Sequence, residues 1–296
     1  MELIGGLGNQ LFQWQAAMIA GSLMGEKVCV DSRKIRSARD RFGILNFNMP
    51  SRNQVVYEFG VRSLLTLMSP QIRKQHATLS FRTNPKKLHQ IRDLNHPSPS
   101  ELILQIESGN KEIEGYFQSA ALAEYFRDNH FDFSKMKFIT RPPDLYSEIR
   151  SDILKFDPVV IHARRGDYLT SPDVWGVLSI DYYLKALTTL NNCNESRIFI
   201  FSDSINLVKE EFKILEKDFD VRFVQTSPEL TAAHVLKLMS FSSRQVISNS
   251  TFSWWSAFFS GSSDVVAPSK FYKGIPDHSE RYPSHWKLCN PQWVIN

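Results

Sequence analysis

The segment VVIHARRGDYL, Val159–Leu169, passes from pure hydrocarbon to His162, Arg164, Arg165 and Asp167 within a few positions. Arginine is rarely buried unpaired, because taking its charge out of water costs several kcal/mol. Two adjacent arginines at the exit of an apolar run therefore have two readings. They form surface ion pairs with carboxylates, or they turn rigid donor forks toward an anionic ligand such as a diphosphate. Two other apolar runs end in the same manner. Ile198–Phe201 leads into Ser202, Asp203 and Ser204, and Val246-Ile247 leads into Ser248, Asn249, Ser250, Thr251 and Phe252. Near the start, Gly5, Gly6 and Gly8 precede Asn9 and Gln10. That spacing is neither the dinucleotide fingerprint nor a P-loop, but it permits close backbone approach to an anion at a helix N-terminus.

These clusters need elements to position them. MELI reads as a strand, GGLGNQ as a glycine loop, Leu11–Met24 as a buried helix and KVCVD as a second strand, which completes a βαβ unit. Ile113–Phe117 reads as a strand, Ala120–Arg127 as a helix, and Tyr57–Met68 as an amphipathic helix stopped by Pro70. Thr140–Asp144 resembles an interdomain linker, so domains of 1–145 and 146–296 are expected. In the second half, strands at Val159–Ile161, Ile198–Phe201, Val221–Val224 and Val246-Ile247 alternate with helices at Ile205–Lys217 and from Thr251 to Ser260. Such alternation implies a parallel sheet, whose ligands bind outside the carboxyl ends of the strands. All the polar clusters of this half fall at that end, and their convergence favours the ligand reading of the arginines.

Residue by residue, bland readings compete. His162 at a strand exit is assigned as a donor to a phosphate or base rather than a satisfied core histidine. Asp167 either holds an arginine in place or acts as general base, and both roles stay open. Asn9-Gln10 and the Ser/Thr run could serve as helix caps. Trp254 and Trp255 are packing residues, since adjacent side chains cannot share one helix face. Asp218-Phe219-Asp220 has the D-x-D spacing of a metal site, but it precedes a strand, at the opposite end of the sheet, and reads as a turn. No other carboxylate or histidine cluster has metal spacing.

Composition narrows the class. The chain has 296 residues, enough for two domains, with 42% hydrophobic and 22% charged residues, as in ordinary globular proteins. No apolar run approaches the ~20 residues of a membrane span. Three scattered cysteines and no basic apolar leader lead us to expect a reducing cytoplasm. Between Arg52 and His96, eight Lys/Arg face only Glu58 and Asp93, a local charge of +6 that exceeds the +4 of the whole chain. No stacking platform accompanies it, so nucleic acid is not an expected partner. On charge alone the segment reads as a solvated face.

Four blocks, GGLGNQLFQ at Gly5–Gln13, GYFQS at Gly115–Ser119, HARRGDY at His162–Tyr168 and NSTFSWW at Asn249–Trp255, resemble glycosyltransferase family 11, the α-1,2-fucosyltransferases, and its bacterial branch above all. LSIDYY, IFSDS and LMS add weaker matches, and together the blocks span nearly the whole chain in order. The resemblance implies an α/β fold of GT-B type, two Rossmann-like domains with parallel sheets facing across a cleft. An N-terminal acceptor side (1–145) and a C-terminal GDP-fucose-binding side (146–296) follow from it. It further implies transfer of fucose from GDP-β-L-fucose, with inversion and without metal or other cofactor, to the 2-hydroxyl of a galactose-terminated glycan, including lipid-linked ones. For the basic segment Arg52–His96, the same resemblance implies peripheral contact with an anionic membrane surface. The catalytic candidates are Arg164, Arg165, Asp167 and Asn9. The substrate-binding candidates are Gly8, Gln10, His162, Ser202, Asp203, His234, Asn249, Ser250, Thr251 and Phe252. The sequence departs from the family at Val235, where an acid normally stands four residues before the Met-Ser pair. His234 or Asp203 is expected to take over any guanine contact that acid makes.

Overall fold

A computed structural model of the chain describes residues 3–25, 28–31, 47–48, 55–58, 90–92, 100–102, 112–129, 136–138, 140–191, 196–225, 227–275 and 279–294. The chain divides into two compact units, Met1–Met136 and Lys137–Asn296. The division falls shortly before Thr140–Asp144, the segment read above as the interdomain linker. Each unit is described by itself.

In the first unit, α1 (Leu7–Met24) is buried over almost its whole length, its glutamines included, and Leu11, Phe12, Trp14, Ala16, Ala17, Ile19 and Ala20 are essentially inaccessible to solvent. A helix buried on nearly every face is a core element of its unit. It stops at Gly25, whose backbone is left-handed (φ 64°). Strand β1 (Val28–Asp31) follows, and the two-residue β2 (Phe47–Asn48) comes next. β1 pairs in parallel with β3 (Val55–Glu58). β4 (Gln90–Arg92) pairs in parallel with β5 (Glu112–Glu114), and α2 (Ala120–Asn129) closes the unit. Three expectations change here. Leu3 and Ile4 form no strand. Tyr57 and Glu58 end a strand instead of opening a helix, because Tyr57 pairs with Val30 across the β1–β3 ladder. The strand expected over Ile113–Phe117 ends at Glu114, because positive φ values at Gly115 (138°) and Phe117 (52°) turn the chain away from extended geometry. Apart from β3 and β4, the basic segment Arg52–His96 lies outside the described residues.

The second unit opens with the short β6 (Lys137–Phe138) and α3 (Asp144–Phe156). Six strands then form one sheet: β7 (Val159–Ala163), β8 (Arg197–Ser202), β9 (Asp220–Phe223), β10 (Arg244–Val246), β11 (Asp264–Pro268) and β12 (Lys287–Cys289). Every neighbouring pair is parallel, and the order is β12-β11-β10-β7-β8-β9. The chain therefore winds outward from β7 to one edge, returns to the middle at β10 and winds to the other edge. That doubly wound order reverses between β7 and β10, the place where such sheets bind ligands. The α/β class and parallel sheet match the expectation from strand–helix alternation.

Residue parity explains why both faces are dry. Val159, Ile161, Ile198 and Ile200 point into one core with Tyr182 and Tyr183 of α5 (Ile180–Leu187) and Val208 of α6 (Ile205–Glu211). The short α4 (Pro172–Trp175) precedes these helices. Val160, Phe199 and Phe201 point the other way, onto Tyr146, Ile149 and Ile153 of α3 and Leu238 and Met239 of α7 (Ala232–Met239). The helix expected to run to Lys217 ends at Glu211 and passes into a tighter 3₁₀ turn over Lys213–Lys217. The aromatic helix α8 (Thr251–Ser260) ends at Gly261, as its sequence implies. Asp220 begins β9 opposite Arg197 and pairs with it at 2.5 Å, at the amino end of the sheet.

Truncating Ile198, wholly buried in the central sheet, should lower unfolding free energy by about 2–5 kcal/mol. Leu154→Ala, at a side chain 52% exposed on α3, should change it by less than about 0.5 kcal/mol. Urea unfolding of both variants checks the assignment of the core faces.

Candidate functional site

The carboxyl ends of β7, β8 and β10 carry the polar clusters, and hydrogen bonds tie them together. His162, at the end of β7, lies on the same face as Val160 and is buried. Its Nδ1 shares a 2.9 Å hydrogen bond with Ser248 Oγ beyond β10, directly across the point where the strand order reverses. Ser253 Oγ of α8 donates back to Ser248 O at 3.3 Å. The paired tyrosines of LSIDYY brace the same two strand ends. Tyr182 donates to Ile247 O at 2.8 Å, and Tyr183 donates to His162 O at 3.3 Å.

The two arginines separate. Arg164 leaves its side chain 28% exposed, pairing its Nη1 with Asp203 Oδ2 at 2.9 Å and its Nη2 with Asp167. Its buried Nε–H meets no acceptor among the described residues. Burial opposes its charge, but Asp203 and Asp167 outweigh that and raise its pKa. Arg165 is fully buried. Its Nε and Nη2 donate to Glu211 Oε2 at 2.9 and 2.5 Å, and its Nη1 donates to Arg164 O at 2.9 Å. The expectation of two ligand-facing forks is therefore corrected. Arg165 continues the parity of Ile161 and Ala163 into the core above α6, and only Arg164 faces outward.

Asp203 is an organiser. Its Oδ1 accepts from the Arg165 backbone N–H at 2.9 Å while its Oδ2 holds Arg164. Ser202 Oγ accepts from Ser204 N at 3.0 Å, which shapes the same turn. Gly166 adopts φ 25°, and a Cβ there would overlap Asp203 Oδ2, so the loop needs glycine at this position. Asp167 is 67% exposed in its side chain and committed to Arg164.

Several candidates prove internal. Asn249 is buried, and its Nδ2 reaches the carbonyls of Trp175, Gly176 and Phe271 at 2.9–3.0 Å. Its own carbonyl accepts from Tyr168 OH at 2.8 Å. It knots the loops that follow β7, β10 and β11 and has no donor left for a ligand. Ser250 caps α8, accepting from Phe252 N at 3.3 Å. Thr251 and Phe252 form the first turn of that helix at the same end of the sheet, with the Phe252 ring 5.6 Å from His162. His234 is not placed as a base reader. It completes a capping box on α7, its Nδ1 accepting from Thr231 N at 3.2 Å, and its ring packs edge-on against Phe138 at 4.5 Å. Burial lowers its pKa. Val235 packs partly buried beside it.

In the first unit, Gly8 is buried inside the first turn of α1. Gln10 is also buried and donates to Gly5 O at 2.9 Å, which makes it a brace for the glycine loop rather than a ligand contact. Asn9 is half-buried and accepts from Gln118 Nε2 at 3.1 Å. Gln13, which sequence reasoning passed over, joins the two motifs. It accepts from Ile4 N and donates to Gly115 O, each at 3.0 Å. Glu211 was also missed, and Ser248, though named in its cluster, was not singled out as the partner of His162. Ser248 sits inside the polar run after Val246-Ile247, whereas nothing local marks Glu211.

Two measurements follow from this geometry. Burial, then the charges of Arg164 and Arg165, lowers the His162 pKa to about 3 from 6.5. The unfolded chain therefore binds a proton that the folded protein refuses, and stability present above about pH 6.5 is lost progressively as pH falls toward 3. His162→Gln should flatten that part of the stability–pH curve, as read by denaturant unfolding at a series of pH values. Asn249→Ala strips the donor from three carbonyls. It should destabilise the protein by at least about 2 kcal/mol, since each buried polar group left unpaired costs about 1–3 kcal/mol.

Comparison with known proteins places the chain in a family. The family model described as Glycosyl transferase family 11 matches residues 113–288. The O-antigen biosynthesis glycosyltransferase WbnK of Escherichia coli is 29% identical over 288 residues, covering 92% of this chain and 94% of that protein. An alpha-1,2-colitosyltransferase of Escherichia coli is 24% identical over 317 residues, covering 99% and 97% respectively. Among solved structures, the fucosyltransferase NodZ from Bradyrhizobium is 12% identical with a TM-score of 0.47, covering 86% of this chain and 90% of that one. The E. coli ADP-heptose lps heptosyltransferase II is 12% identical with a TM-score of 0.49, covering 97% and 88%. The family match takes in GYFQS, HARRGDY and NSTFSWW and spans more than half of the residues, so this chain belongs to glycosyltransferase family 11.

Proposed function

We propose that this glycosyltransferase moves L-fucose from GDP-β-L-fucose to the 2-hydroxyl of a terminal galactose, with inversion and without a metal ion, during assembly of an O-antigen type surface polysaccharide. The observation that carries the reading is Arg164. It stands at the strand-order reversal, held by Asp203 and partly exposed, with a buried Nε–H that has no acceptor among the described residues. A buried donor of this kind calls for an acceptor from a ligand or water. A nucleoside diphosphate supplies one, and it develops negative charge as it departs. A preorganised donor aimed at such charge is worth about 2.7–4 kcal/mol. The first turn of α8, at the same end of the sheet, adds the positive end of a helix dipole. His162 contributes as a neutral hydrogen-bonding ring. Its depressed pKa keeps a third positive charge out of the loop.

The names of the relatives support the pathway and the α-1,2 linkage class. One of them also favours a second donor sugar, colitose, which is fucose without its 3-hydroxyl. A pocket that hydrogen-bonds that hydroxyl rejects the deoxy sugar by about 10⁴-fold or more, whereas an apolar pocket discriminates weakly. Turnover of both donors against a panel of galactosides distinguishes the readings. The inverting step needs in-line attack by the acceptor hydroxyl, and a base at that hydroxyl adds about 10²–10⁴-fold. Asp167 is engaged by Arg164, so its role is to orient that arginine, and Asn9 at the glycine loop is the residue proposed to orient acceptor or fucose.

Arg164→Ala should lower transfer by at least about a hundredfold, and Arg164→Lys should rescue poorly because a single ammonium cannot reproduce the fork. GDP release from GDP-fucose with a lactose-type acceptor measures both. Near-wild-type turnover of the alanine variant would remove Arg164 from the donor site. Activity should persist in excess EDTA, and its loss would show that a metal is required.

A further inference from the structure

We propose that Glu211 is a positioning residue for Arg164, acting through the buried Arg165; the proposal rests on the reading of Arg164 as the ligand of the donor's diphosphate. Glu211 closes α6, which begins two residues after Asp203. It lies far from the loop in sequence, and no motif contains it. Its Oε2 receives two donors of the Arg165 fork. That engagement sets the plane of the guanidinium and directs Nη1 onto the carbonyl of Arg164 at 2.9 Å.

The peptide group between the two arginines is thus gripped at both polar atoms. Its carbonyl is taken by the Arg165 side chain and its N–H by Asp203 Oδ1 at 2.9 Å. A peptide held at both ends cannot rotate, so the Cα–Cβ direction of Arg164 is set. Asp203 Oδ2 then catches the Arg164 guanidinium from the same side. The circuit closes: Glu211, Arg165 fork, Arg164 carbonyl, Arg165 amide, Asp203, Arg164 fork. Removing Glu211 leaves Arg165 a buried charge without a carboxylate, and the fork must turn to seek another. The Arg164 carbonyl is released with it. The partly exposed fork of Arg164 should therefore sense Glu211, although Glu211 pairs with Arg165 and not with it.

The test is GDP binding by calorimetry, with thermal unfolding as a control. Glu211→Gln keeps the size and an acceptor oxygen but not the charge. It should weaken GDP on the order of tenfold, the scale of a hydrogen bond to a charged group. In the Arg164→Ala background, the same change should have almost no effect on GDP affinity, because the group that Glu211 positions is gone. A merely structural role would lower stability and affinity alike in both backgrounds. If the glutamine variant fails to fold, the paired variant Arg165→Met with Glu211→Met carries the test, since apolar replacement of a buried ion pair is often neutral for stability. That folded pair should bind GDP as weakly as Glu211→Gln is expected to. Wild-type affinity in Glu211→Gln or in the paired variant, or an equal loss with and without Arg164, overturns the proposal. If Arg164→Ala itself binds GDP as the wild type does, the reading beneath it falls and the proposal with it; if only Arg164→Ala is impaired, the proposal falls alone.

Discussion

Asp203 accepts from the backbone N–H of Arg165 and from the guanidinium of Arg164 at once, and the loop after β7 takes its shape from that double acceptance. Without it, two adjacent cations at the end of a buried strand would repel each other. With it, one arginine turns inward to Glu211 and the other outward. Three carboxylates, Asp167, Asp203 and Glu211, thus share two arginines. Glycine at 166 is a consequence, because a side chain there would occupy the space of the Asp203 carboxylate. The same economy of charge explains the neutral His162. A third cation in a buried strand end would have no carboxylate left to meet it, and burial with the neighbouring guanidiniums drives its proton off.

Much of this was legible in the sequence, and the limits were physical. Strand–helix alternation is local, so the parallel sheet and the clustering of polar residues at its carboxyl end could be read directly. The fate of Arg165 was written in parity. Val159, Ile161 and Ala163 face one core, and Arg165 continues that row toward α6, while His162 and Arg164 share the other row. Treating the arginines as an equivalent pair overlooked a period of two. His234 carried a local signal as well, a threonine three positions ahead that makes a capping box. Asn249 carried none. Its three carbonyl partners come from loops after two other strands, a nonlocal arrangement that only the folded sheet creates. Helix lengths failed for similar reasons. Nothing in the composition of Ile205–Lys217 announces that its second half tightens into a 3₁₀ turn.

The first unit follows a different logic. Its helix α1 is buried on all sides, and glutamines inside it satisfy the backbone of two turns that the sequence motifs place far apart. Gln13 holds Gly115, and Gln118 holds Asn9, so GGLGNQLFQ and GYFQS form one assembly. Phe117 keeps a left-handed backbone (φ 52°) while fully buried, a strained conformation that persists only where the surroundings fix it. Motifs that read as separate binding elements are here parts of one scaffold. Most of the recognisable residues in both units thus brace neighbouring turns.

The central claim is that Arg164, and not Arg165, meets the phosphates of the donor at the reversal between β7 and β10. An experimental structure of the protein with GDP tests it most directly. The expected result places a phosphate oxygen within hydrogen-bond reach of the Arg164 guanidinium, with Arg165 still buried against Glu211. A nucleotide bound away from the carboxyl ends of β7 and β10, or one gripped by an Arg165 that has left Glu211, would contradict it.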